Sequence, residues 1–101
     1  MKIDFNVKFK TFDGQDIIMR DKPATLKDIS VESLMSLLEE EKNLSGEEKL
    51  KRYELALKIK DGGIIDISVE DIALVKKLIG KMFTPLIVGQ AWKNLEGGNN
   101  A

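Results

Sequence analysis

Residues 76–92 read KKLIGKMFTPLIVGQAW. The apolar spacing is that of a helix, yet two glycines and a proline interrupt it, and the chain's one tryptophan stands at its end. Inside a helix, proline removes a hydrogen bond and clashes with the preceding turn, at a cost of about 3 kcal/mol. At the first helical position neither penalty applies. Thr84-Pro85 therefore reads as an N-cap and a restart, with one helix ending near Met82 and the next running from Pro85 to about Leu95. The interior glycines each cost about 1 kcal/mol against alanine, so close approach of another backbone at Gly80 or Gly89 is the expected offset.

Working outward from this stretch, Ser68 caps the upstream helix, and Glu70 and Asp71 complement its dipole. Its apolar stripe is Ile72, Val75, Leu78/Ile79 and Met82. GIIDI (63–67) before it is a short β-prone run. KDGG (60–63) closes another helix, over 46–60, which Ser45 and Glu48 open with capping-box spacing. Its expected buried residues are Leu50, Tyr53, Leu57 and Ile59. Ser30 is expected to cap a helix over 31–40 that buries Leu34, Leu37 and Leu38. RDKPATLKD (20–28) reads as a connector with a short edge strand near 24–26, because Pro23 bars a central strand.

At the N-terminal end, Ile3, Phe5, Val7 and Phe9 alternate with polar residues, the period of a half-buried strand. A turn at Asp13-Gly14 and a return over 15–20 make residues 2–20 a hairpin. DISVE occurs at both 28–32 and 66–70, as one strand-to-cap solution used twice or as a duplicated half-domain. The expected fold is α+β: one domain over 1–96, with an N-terminal β-hairpin and a short third strand packed on three to four α-helices. Residues 97–101 form a tail.

The 101 residues include 43% hydrophobic and 33% charged, enough for one core with a well-solvated exterior. Sixteen Lys and Arg against seventeen Asp and Glu leave a formal charge of −1, without the basic excess that phosphate neutralisation favours. The chain lacks an apolar run long enough to cross a bilayer or to act as a signal peptide, so a cytoplasmic protein is expected. With no His and no Cys, the common general bases, thiolate nucleophiles and zinc sites are excluded. No phosphate-binding glycine loop is present, and DGQD (13–16) lacks the spaced oxygen ligands of a calcium loop. Neither a cofactor nor a small-molecule substrate is expected; an enzyme would have only carboxylates as its acids and bases.

What remains is a binding surface. On the last helix Gly89, Trp92 and Lys93 share one side with Pro85 above, while Leu86, Ile87, Ala91 and Leu95 face the core. Tryptophan suits an interface, with its large apolar area and single donor, and equally suits the closing of a small core. Met82 and Phe83 at the joint carry the same two roles. The candidate protein interface is therefore Gly80, Met82, Phe83, Pro85, Gly89 and Trp92, which would serve a homo-oligomer or a protein partner. Lys76, Lys77, Lys81 and Lys93 form a candidate basic patch, read either as solvated lysines or as the site of a nucleic-acid-associated accessory protein.

EDIALVKKLIGKMFTPLIVGQAWKNLE (70–96), preceded by NLSGEEKLKRYELALKI (43–59), resembles small, mostly uncharacterised proteins of tailed bacteriophages and prophages. The resemblance covers residues 43–96. It implies a phage product made in the bacterial cytoplasm, non-enzymatic, that either enters the virion or stays in the host. The expected function is that of a small self-associating interaction protein, acting as an assembly or structural accessory or by binding a host protein.

Overall fold

Serine and threonine set the helix starts. In this computed structural model, which describes residues 1–98, α1 (Leu26–Met35) follows Thr25 and α2 (Gly46–Ile59) follows Ser45. Likewise α3 (Val69–Met82) follows Ser68 and α4 (Pro85–Lys93) follows Thr84. Ser45 Oγ accepts from Glu48 N at 3.1 Å and Ser68 Oγ from Asp71 N at 3.1 Å, each satisfying an amide that the helix itself leaves free. Thr84 makes no side-chain cap; Pro85 has no N–H that would need an acceptor, and the Thr84 carbonyl accepts from Ile87 N and Val88 N. The break expected at Thr84-Pro85 is present. The last turn, Asn94–Gly98, takes in the first two residues assigned to the tail; residues 99–101 lie outside the described residues.

α1 starts earlier than Ser30 would place it. Thr25 Oγ1 accepts from Asp28 N while Asp28 Oδ2 accepts from Thr25 N at 3.1 Å, a reciprocal capping box that the PATLKD segment supplies. Ser30 is thereby carried inside the helix, fully buried, its Oγ without a hydrogen-bond partner among the described residues. α1 ends at Met35, leaving Leu37 exposed and Leu38 half-buried. The two DISVE segments consequently differ: 28–32 is helix interior, whereas 66–70 runs from a strand end through a cap into α3. Neither a repeated strand-to-cap unit nor a duplicated half-domain describes both.

The class is α+β, and the strands pair differently from the expected hairpin over 2–20. β1 (Lys2–Asp4) pairs antiparallel with the short strand near the middle of the chain, β4 (Ile64–Asp66), with Ile3 opposite Ile65. The Asp13-Gly14 hairpin is real but small: Thr11 N donates to Gln15 O at 2.8 Å, and Lys10 bridges Asp16. β2 (Ile18–Met19) turns back onto β3 (Lys22–Pro23). Three backbone bonds then close a ring, Phe9 N to Ala24 O, Ile17 N to Phe9 O and Ala24 N to Ile17 O, at 2.8–3.1 Å. That ring satisfies the backbone of three segments at once, as burial of Phe9 and Ala24 demands.

α1 packs on α2 and α3, and α3 on α4. Phe5, Phe9, Leu26, Ile59, Val75, Ile79 and Leu95 are among the fully buried core residues. The α3 stripe is the expected one, except that Met82 is only half-buried. On α2 the buried residues are Arg52, Leu55, Ala56 and Ile59, so of the four expected only Ile59 is inside.

Candidate protein-interaction site

Six residues were expected to form one interface, and the fold divides them into three pairs. Gly80 and Trp92 belong together. A Cβ on Gly80 would lie 3.0 Å from Trp92 Cζ2, so the bare backbone of α3 is the floor on which the indole rests. Trp92 Nε1 donates to Lys76 O at 3.0 Å, and Lys76 Nζ lies 4.7 Å above the ring. The close approach at Gly80 is thus made by a side chain of the same subunit, not by another backbone. Trp92 staples α4 to α3 and remains 36% exposed.

Met82 and Phe83, both half-buried, line a small apolar cavity of about 260 Å³ with Ile17, Met19 and Ile87. Pro85 and Gly89 line a different surface. With Leu86, Gln90 and Phe12 they form an open groove of about 510 Å³. Among the described residues, no atom beyond its chain neighbours and its own helix backbone comes within 4 Å of where a Gly89 Cβ would sit. Phe12 was not singled out in the sequence; its place directly before Asp13-Gly14 is the signal that a hairpin tip would expose it, and it is 96% exposed.

The four lysines are not one free patch. Lys76 pairs with Glu96 at 2.6 Å, and Lys81 pairs with Glu40. Lys93 lines the Gly89 groove on α4, and Lys77 is exposed on α3. The acidic run Glu39–Glu41 forms a single 3₁₀ turn that faces α3 and α2. Within it Glu41 accepts from Arg52 Nη1 at 3.1 Å and Nη2 at 2.5 Å, with both side chains at least nine-tenths buried. These bonds, with one from the Leu38 amide, outweigh burial and hold the Glu41 carboxyl down to about 2.

A second apolar surface was missed. Leu50, Tyr53 and Leu57, placed in the core by their spacing, are 43–55% exposed in a row on the side of α2 opposite its buried face. Met35 at the end of α1 is exposed beside them, and a groove of about 220 Å³ between the helices is lined by Val31, Met35, Tyr53, Ala56 and Leu57. α2 is apolar on two faces, and periodicity alone does not say which is inside. Arg52 decides it: its guanidinium is neutralised by Glu41, so its stem can cover the core.

Among the described residues, no group of three or more acidic side chains is placed to hold a metal ion, and no helix is long and apolar enough to cross a membrane. Comparison with protein-family models, curated proteins and solved structures finds no match.

Proposed function

We propose that the protein is a non-enzymatic interaction protein of the kind its resemblance to small tailed-phage and prophage proteins implies. It is made in a bacterial cytoplasm, self-associates, and acts as an assembly or structural accessory or by binding a host protein. The observation that carries this is the outer row of α2. A fully buried side chain of this size gains roughly 1.5–3 kcal/mol over an exposed one, and Leu50, Tyr53, Leu57 and Met35 each forgo about half of that. The groove between α1 and α2 suits an amphipathic partner helix with apolar residues every three or four positions. The pairing of Lys76 and Lys81 with carboxylates of their own chain weighs against nucleic acid as the partner.

The test places a photoreactive benzoylphenylalanine at Tyr53 in the full chain, expressed in bacterial cells. A discrete protein adduct is expected, lost when Leu50→Gln and Leu57→Gln are added while the circular dichroism and melting temperature are retained. No adduct, or one indifferent to those substitutions, overturns the proposal. A salt-dependent shift of a labelled oligonucleotide by the purified chain would overturn it in favour of nucleic-acid binding.

A further inference from the structure

Phe12 occupies the second position of a tight turn. Gly14 takes φ +84°, Gly14 N donates to Thr11 O at 3.0 Å, and Gln15 N donates to Thr11 Oγ1 at 3.2 Å. The turn therefore holds the ring away from the core. It is also fixed to α4: Gln90 Oε1 accepts from Lys10 N at 2.9 Å, and Gln90 Nε2 donates to Lys10 O at 2.8 Å. One side-chain amide thus reproduces the two bonds of a strand pair and sets the hairpin rigidly against α4. The Phe12 knob and the Gly89 groove consequently stand side by side on one face.

Three features of this face lack an explanation within one subunit. A phenylalanine is held in water. A glycine stands inside a helix with no described residue beyond its own helix backbone and chain neighbours near it, whereas Gly80 has Trp92. Two opposite charges, Asp13 beside the knob and Lys93 at the groove, have no ion-pair or hydrogen-bond partner among the described residues, although nearby Lys10 is paired with Asp16.

We propose that two copies of the chain associate about a two-fold axis, Phe12 of each lying over Gly89 of the other, against Pro85 and Leu86, with Asp13 brought to Lys93 of the other copy. The inference rests on the reading of the chain as an interaction protein, and it names a second copy as the occupant of this face. Because knob and socket are neighbours, one contact made twice closes the assembly as a dimer and leaves no open end for a filament. A phenylalanine buries roughly 150–250 Å². Two knobs and their sockets therefore bury on the order of 800 Å², below the standard interface of about 1,600 Å², and the dimer is weak and reversible.

Sedimentation equilibrium of the full chain over rising concentration tests this. The parent is expected to dimerise. Phe12→Ser and Gly89→Leu are each expected to weaken association at least tenfold, with the melting temperature of Gly89→Leu unchanged or raised. Asp13→Lys weakens it, and adding Lys93→Asp restores it. A parent that stays monomeric at the highest concentration overturns the dimer. So does one whose association is indifferent to Phe12→Ser, or a charge swap that fails to restore it. Adduct formation from position 53 reports on the α2 row separately, so a failed dimer with an intact adduct removes self-association through this face and leaves the reading as a protein that binds a foreign partner.

Discussion

Gly80 and Gly89 are both helical glycines, and their surroundings give them opposite consequences. Gly89→Ala adds a methyl group to open space and removes backbone freedom from the unfolded chain, so urea denaturation is expected to show a gain of roughly 0.5–1 kcal/mol. At Gly80 the same methyl meets the Trp92 ring, which its bond to Lys76 O holds in place. The helix-propensity gain is there cancelled by overpacking, and a net loss of about 1 kcal/mol is expected, with a red shift in tryptophan emission as the ring is displaced. Glu41 supplies a third test. Its carboxyl is depressed to about 2 in the fold against an ordinary 4.5, so it contributes stability above about pH 4.5 that is lost as pH falls towards 2. Glu41→Gln should cost about 2 kcal/mol at pH 7, because it leaves Arg52 buried without a counter-charge. The gap between parent and variant in denaturation midpoint should close as pH falls from 5 to 2.

At the scale of elements, the caps make a sharp prediction for α1. Thr25→Ala removes half of the capping box and should destabilise by about 1 kcal/mol. Ser30→Ala removes a buried hydroxyl that has no partner among the described residues and should stabilise by roughly 1 kcal/mol in the same thermal melts. Had Ser30 been the cap, Ser30→Ala would destabilise instead and Thr25→Ala would be close to neutral. The legible elements are those whose signals are local. Ser45, Ser68 and Thr84-Pro85 each mark a helix start within four residues, and the α3 stripe follows from its spacing. The strand pairing was not legible, because β1 finds its partner about sixty residues away and alternation alone does not choose among partners. α1 was misplaced because DISVE reads equally well as cap or as helix, and only the Thr25–Asp28 reciprocity upstream selects between them.

For the whole molecule, the site was legible only in part. The joint at Thr84-Pro85 was found, but Trp92 turns inward onto Gly80, leaving Pro85 and Gly89 as the expected interface residues that line the open groove. The α2 row was hidden because its inward assignment required knowing that a loop glutamate would neutralise Arg52. A buried arginine is rare, so the spacing by itself favours the aliphatic stripe as the inner face. On the proposed reading, both outward apolar surfaces are covered by protein. Photocrosslinking from position 53 tests this most directly. An adduct with protein that disappears on Leu50→Gln and Leu57→Gln, in a chain that melts as the parent does, is the predicted result; a chain that captures nothing, or captures equally well without those two leucines, contradicts it.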